Sequence, residues 1–216
     1  MDCLAATVHG LEGIVWVAHS FGIHYVRALP PEVLTRTAHA VLVAPSLALK
    51  HALRKVAALA AADFQEDQPE TAARIRQLVS ASSGLFDAAM IEAAQLTLSD
   101  PALFTHYWQD SVAMARFFEV WAEPGASLDF DCLLSVLGDL HSSWRDDLAH
   151  APHFHAPATV VLGGEDPVID AAESLKLART IFPTAEATTI SHTGHFPHLE
   201  RPELFLDLLR KGATVR

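Results

Sequence analysis

Ser20 lies in the run Ala18-His19-Ser20-Phe21-Gly22. A serine hydroxyl is a poor nucleophile until a base takes its proton, so a working Ser20 needs an imidazole and an orienting carboxylate elsewhere in the chain. A small residue two before the serine and a glycine two after it suit a sharp turn in which these positions touch. Such a turn forces the serine to a strained positive φ and lifts its hydroxyl clear of the backbone. The N–H of Phe21 then points to where an oxyanion would form, beside the start of a helix. His195, in Ser191-His192-Thr193-Gly194-His195-Phe196-Pro197, is the expected base, with Gly194 freeing the loop to aim it. Asp166, in Leu162-Gly163-Gly164-Glu165-Asp166-Pro167, is the expected carboxylate, its turn stiffened by Pro167 and released by the two glycines. His192 and His198 are the rival bases, and Glu165 and Asp170 the rival carboxylates. Acting together, Ser20, His195 and Asp166 would perform nucleophilic acyl transfer: the serine attacks, the imidazole carries the proton, and the carboxylate holds the imidazole.

These three residues each follow a stretch that reads as a strand. Ile14–Ala18, Ala40–Ala44 and Thr159–Leu162 are apolar or β-branched throughout, the pattern of strands buried on both faces of a parallel sheet. Glu186–Ile190 is more polar and suits a position nearer an edge. Helical patterns alternate with the strands. Gly22–Leu29 stops before Pro30-Pro31, Ala171–Ile181 stops before Pro183, and Pro202–Leu209 opens on proline and glutamate. Strands alternating with helices give an α/β fold, a doubly wound and mostly parallel sheet of about four strands.

The stretch from 46 to 156 breaks the alternation. It holds no strand pattern and is rich in Ala and Leu at helical spacing: Leu49–Ala62, Glu70–Ser80, Phe86–Leu96, Ala113–Trp121 and Leu128–Leu140. The expected organisation is therefore a sheet domain from residues 1–45 and 157–216, carrying an inserted helical cap at 46–156. Aromatic residues crowd the segment from Phe104 to Trp144, including Phe130. Most would fill the core of the cap. Tyr107, Trp108, Phe117 and Trp121, with His19 and Phe196, are the candidates for lining an apolar substrate pocket.

The strand–turn–helix around Ser20 is a nucleophile-elbow pattern. Val17-Ala18-His19-Ser20-Phe21-Gly22, Gly163-Gly164-Glu165-Asp166-Pro167 and Gly194-His195-Phe196-Pro197-His198-Leu199-Glu200-Arg201-Pro202 together resemble three signature segments of the α/β-hydrolase superfamily, in its order of nucleophile, acid and histidine. Ala18 stands where that family more often has glycine, and Ile23 where a further glycine is common. The resemblance implies a serine hydrolase with a helical cap, acting on a small carboxylic ester or related acyl substrate without a cofactor. A proline-iminopeptidase-like aminopeptidase is the alternative, with Asp110, Glu119 and Glu123 available to hold an amine. Carbon–carbon bond hydrolysis is a further one, and a truncated, inactive relative is the non-enzymatic reading.

In that family a hairpin, two more strands, a helix and a loop beginning His-Gly precede the nucleophile strand. Here Ser20 stands near the start. Val8-His9-Gly10 lies too close to Ser20 to serve as that loop, so the source of a second oxyanion donor is open. Ile14–Ala18 becomes an apolar edge strand, and edges of this kind invite pairing. The expectation is a fragment of a longer protein, or a homodimer formed along residues 14–18.

Composition narrows the partners. A net charge of −11 with only 15 Lys and Arg is unsuited to nucleic acid or anionic lipid. No apolar run approaches the roughly 20 residues needed to span a bilayer. The first residues lack a basic signal region, and Cys3 and Cys132 read as free thiols, which together suggest a cytoplasmic protein. His141, His150, His153 and His155 are dense enough to suggest a metal, but no helical spacing fixes two on one face, so none is expected.

Overall fold

The computed structural model describes residues 7–83, 87–99, 101–122 and 154–214. In chain order the elements begin with β1 (Ile14–His19), a 3-10 turn (Ser20–Gly22), α1 (Ile23–Arg27), α2 (Pro31–Leu34) and β2 (Thr37–Val43). Then come α3 (Leu49–Asp67), α4 (Pro69–Ala81), α5 (Ala88–Leu98), a 3-10 segment (Pro101–Tyr107) and α6 (Ser111–Trp121). The last part holds β3 (Ala158–Gly163), α7 (Ala171–Ile181), β4 (Glu186–Ile190), α8 (Pro197–Glu200) and α9 (Pro202–Thr214).

The four strands form one parallel sheet in the order β1-β2-β3-β4. The registers pair His19 with Val43, Val43 with Val161, and Gly163 with Ile190, so all four strands end along one margin of the sheet. Loops leaving the carboxyl ends of parallel strands are where such sheets carry their ligands and chemistry.

Burial separates two strands that read alike. Ala40, Val41, Leu42 and Val43 of β2 are no more than 1% exposed, as a continuous apolar run predicts. β1 is the outer strand that its position in the sequence led us to expect, and its apolar run is not fully buried: Val15 is 39% and Val17 52% exposed. Among the described residues β2 is the one strand beside β1, and it holds β1 by a 2.9 Å hydrogen bond from Trp16 Nε1 to Thr37 Oγ1 as well as by the ladder. Across the middle of the sheet Val41, Val43, Val161 and Ile190 pack with Phe205, Leu208 and Leu209 of α9. That helix runs past the expected Leu209 to Thr214.

The chain divides into two compact units, residues 1–48 with 147–216 and residues 49–146. The first holds the sheet. Its junction with the second falls after Ala48, a few residues later than the sequence pattern places it, so Ser46 stays with the strands. The second unit holds α3–α6. Asp87 caps α5 by accepting from Met90 N, and Asp110 caps α6 by accepting from Val112 N and Ala113 N. Those caps explain why α5 starts at Ala88, after the expected Phe86, and α6 at Ser111, ahead of the expected Ala113. Arg76 reaches from α4 to Ala61 O and Gln65 Oε1 of α3, and Arg74 forks onto Glu92 of α5 with two 2.9 Å bonds. The expected helix at Leu128–Leu140 lies outside the described residues, as do Cys3, Cys132, Glu123, Phe130, Trp144, His141, His150 and His153. Among the described residues no helix is long and apolar enough to cross a membrane, and no group of three His, Cys, Asp or Glu is placed to hold a metal ion.

Candidate active site

Ser20 has φ +50, so the turn after β1 puts this residue in the left-handed region that side chains rarely adopt. A strained backbone is held only where its surroundings over-determine it. Here β1 fixes the chain on one side and the 3-10 turn into α1 fixes it on the other. The small neighbours fit as the turn requires: a methyl group on Gly22 would sit 3.8 Å from Cβ of Ala18, in ordinary contact.

His195 is buried on the loop after β4, and its Nε2 lies 3.0 Å from Ser20 Oγ. Its Nδ1 lies 2.8 Å from Oδ2 of Asp166, whose side chain is 2% exposed. The other carboxylate oxygen of Asp166 accepts from Val168 N at 2.8 Å and Ile169 N at 3.1 Å. An acceptor-only carboxylate on Nδ1 fixes the proton of a neutral imidazole there and leaves Nε2 to accept from the Ser20 hydroxyl. That arrangement can pass a proton from serine to imidazole while the cation so formed stays beside Asp166.

The rivals are placed elsewhere. The Glu165 carboxylate stands in the open, 3.6 Å from the exposed His192. Asp170 caps α7 by accepting from Glu173 N. His198 packs its ring 5.7 Å from Phe205 and 4.8 Å from His19, and its buried Nδ1 meets no hydrogen-bond partner among the described residues. Burial, and then the nearby His195, push its pKa down to about 4.

The glycines work differently from the expectation. Gly163, Gly164 and Gly194 do not adopt positive φ; among the residues around the base that conformation falls to His192, at +56. What the glycines supply is close approach. A Cβ on Gly163 would overlap the carbonyl oxygen of Gly194, and one on Gly164 would come within 3.3 Å of Ser191 Cα. The β3 and β4 loops therefore meet backbone to backbone. Gly164 N donates to Ile190 O at 2.9 Å and Glu165 N to Thr193 O at 3.0 Å. Gly194 N in turn donates to Oε1 of the buried Glu200 at 2.7 Å.

His19, a candidate for the pocket, contacts the base. Its Nε2–H donates to the carbonyl of His195 at 2.9 Å, and its ring meets those of His195, Phe196 and His198 at 5.0, 4.9 and 4.8 Å. Burial, reinforced by His195, pushes its pKa down to about 3, so it stays a neutral donor. Phe196 is half-buried beside it. Phe21 follows Ser20 at the entry to α1, with its ring 5.0 Å from that of His24. In the helical unit Tyr107 and Trp108 are buried, Trp108 lies 5.2 Å from Phe117, and Tyr107 stacks at 5.8 Å on Phe104. The side chain of Trp121 lies outside the description.

One neighbour of Ser20 escapes the sequence analysis. Ser46 Oγ lies 2.9 Å from Ser20 Oγ. The residue follows β2, on the same margin as Ser20, Asp166 and His195. Its signal was positional: a hydroxyl just past the carboxyl end of a buried strand, next to the strand that carries the serine.

The chain matches the profile of the alpha/beta hydrolase family over residues 1–208. Among solved structures it is similar to an alpha/beta fold family hydrolase from Bacillus anthracis str. Sterne, at 13% identity and a TM-score of 0.58, with 98% of this chain and 72% of that one covered. It is similar also to a proline iminopeptidase-related protein from Thermus thermophilus, at 19% identity and a TM-score of 0.57, covering 98% of this chain and 67% of that one. A serine hydrolase of the bacterium Cycloclasticus zankles shares 18% identity at a TM-score of 0.52, over 100% of this chain and 69% of its own. At these identities the likeness is one of fold. A search of curated protein sequences gave no match.

Proposed function

The chain belongs to the alpha/beta hydrolase family, and on that premise we propose that it is a serine hydrolase cleaving a small carboxylic ester through an acyl-enzyme on Ser20. The observation that carries this reading is the continuous line from Ser20 Oγ through His195 to the buried Asp166, at 3.0 and 2.8 Å, with the serine at the positive φ of a sharp turn. Ser20 Oγ attacks the acyl carbon as its proton passes to His195 Nε2. The carbonyl oxygen becomes an oxyanion, for which Phe21 N–H is the donor we assign. Collapse breaks the bond to the alcohol oxygen, which leaves with the proton from Nε2. A water then attacks the acyl carbon, gives its proton to Nε2, and the acid departs as Ser20 recovers its hydrogen.

Asp166 holds the imidazole in the tautomer that accepts from serine and steadies its cation. For the aminopeptidase reading, Asp110 has one carboxylate oxygen engaged in capping α6, and Glu123 lies outside the described residues. Turnover of an aryl ester against an aminoacyl arylamide separates the two. The hydrolase reading is tested with p-nitrophenyl acetate and a fluorophosphonate probe. We expect hydrolysis and labelling by the wild type, and loss of both in Ser20→Ala with an unchanged circular dichroism spectrum. A Ser20→Ala protein that still turns over, or a wild type that does neither, refutes it.

A further inference from the structure

Ser46 sits in a backbone built to hold it. Ala44, two residues before it, has φ +42, in the left-handed region like Ser20 and His192, and Ala44 N donates to Val161 O at 2.8 Å. Ser46 N donates to the carbonyl of Ser20 at 3.2 Å, tying the two loops together through the main chain. Behind it, His24 Nε2 donates to Ser46 O at 3.1 Å, and Arg27 Nη1 donates to His24 Nδ1 at 3.1 Å. The set agrees on one tautomer: a neutral His24 with its proton on Nε2. The whole residue is 5% exposed.

Counting protons fixes the direction of the contact between the two hydroxyls. His195 donates its Nδ1–H to Asp166 in a hydrogen bond, so Nε2 is the acceptor for the single proton of Ser20. Ser20 Oγ can then only accept from Ser46, so in the 2.9 Å pair Ser46 is the donor. We propose that Ser46 is a further catalytic residue, donating a hydrogen bond to the nucleophilic oxygen of Ser20. The inference rests on the hydrolase reading and assigns a role that reading does not contain.

The bond does two things. In the resting site it holds Ser20 Oγ in line with Nε2. As the serine proton moves to His195, negative charge grows on Ser20 Oγ, and a donor already in place stabilises it without reorganisation. In the acyl-enzyme the same oxygen is an ester oxygen and a weaker acceptor. During deacylation the bond strengthens again as the acyl C–Oγ bond breaks and Oγ recovers its proton from His195. Ser46 keeps its own proton throughout, so the balance of the reaction is unchanged.

The test compares wild type, Ser20→Ala, Ser46→Ala and Ser46→Thr, each as the full chain. Ser46→Ala removes one oxygen and is expected to fold, as checked by thermal melting. We expect its rate constant for fluorophosphonate labelling, and its kcat for p-nitrophenyl acetate, to fall about tenfold with KM unchanged, the size of one hydrogen bond to a developing charge. Ser46→Thr, which restores a hydroxyl, recovers most of the loss. Equal labelling rates for wild type and Ser46→Ala overturn this inference alone. So does a loss in Ser46→Ala that appears in KM, or one that a folded Ser46→Thr does not restore. A wild type that does not label at Ser20 overturns the hydrolase reading and this inference with it.

Discussion

Ser20 and His195 face each other across 3.0 Å but are held from behind by different means. On the acid–base side, the loops after β3 and β4 touch backbone to backbone. Gly163 leaves no room for a side chain, and main-chain N–H groups donate directly to main-chain oxygens or to the buried Glu200. On the nucleophile side one main-chain bond, from Ser46 N to Ser20 O, is joined by side chains: a hydroxyl from Ser46, and behind it the imidazole of His24 and the guanidinium of Arg27. Contact between main chains admits little adjustment, because neither partner has a rotamer to change. Contact through side chains can be altered one atom at a time. The acid–base side is therefore built for position and the nucleophile side for tuning.

The same substitution on each side exposes the difference most strongly. In Gly163→Ala the new methyl group overlaps the Gly194 carbonyl, and the loop carrying His195 has to move. We expect stability to fall by about 2–3 kcal/mol, in the range for overpacking a tight site, and kcat/KM to fall by at least 10²-fold as His195 leaves the line to Ser20. Gly22→Ala places its methyl in ordinary contact with Ala18, at a helical φ of −56. Its stability and activity should stay near those of the wild type. Urea unfolding and ester hydrolysis measured on both variants decide the matter. A Gly163→Ala protein with normal activity would show that the backbone contact does not set the position of the base.

Glu200 gives a smaller effect on the same side. Its carboxylate accepts from the buried N–H of Gly194, one residue before the base. Glu200→Ala leaves that donor without its acceptor, a cost of about 1–3 kcal/mol. Glu200→Gln keeps an acceptor oxygen and should recover part of both stability and kcat. If Glu200→Ala unfolds at the same urea concentration as the wild type, the Gly194 contact contributes nothing measurable.

How far the sequence disclosed this arrangement depends on whether a residue's role is local or set by a distant neighbour. Ser20, Asp166 and His195 come together because each follows a strand, and the strand patterns were visible. The sharp turn at Ser20 was legible too, since Ala18 and Gly22 encode it locally. Ser46 was not legible, because its meaning depends on β1 lying beside β2, and nothing in Ala44-Pro45-Ser46 announces that neighbour. β1 is the opposite case: its apolar run matches that of β2, and its place at the margin of the described sheet was expected because no strand pattern precedes it. Gly163 is a third case: glycine there signals a special backbone, but only the path of the β4 loop shows that the need is for space. In the helical unit the periodicity of α3–α6 was clear, and the ends shifted where Asp87 and Asp110 supplied caps.

The gentlest contrast between the two sides lies in their response to acid. Beside the reacting groups three imidazoles are held neutral: His19 and His198 on the acid–base side, with pKa values near 3 and 4, and His24 on the nucleophile side, near 4; burial also lowers that of His39 on β2, away from the site. For His24 burial outweighs the hydrogen bond to Ser46, and Arg27 adds a repulsive charge. In the unfolded chain each imidazole returns to about 6.5. Between that value and the folded one, the unfolded chain binds a proton that the folded chain refuses. Stability is therefore complete above about pH 7.5, falls as pH drops through 6.5, and levels off only near the folded values. At pH 5.5 each imidazole should remove about 1 kcal/mol. His24→Gln, which can still donate to Ser46 O, should lose about that much of the difference in unfolding free energy between pH 7.5 and 5.5. Replacing His19 and His198 together by Gln should lose about twice as much, since two of the three groups lie on that side. Urea titrations at the two pH values measure both. A His24→Gln protein with the full wild-type dependence on pH would mean that His24 takes up a proton as readily in the folded chain as in the unfolded one, contrary to the tautomer that its bonds to Arg27 and Ser46 require.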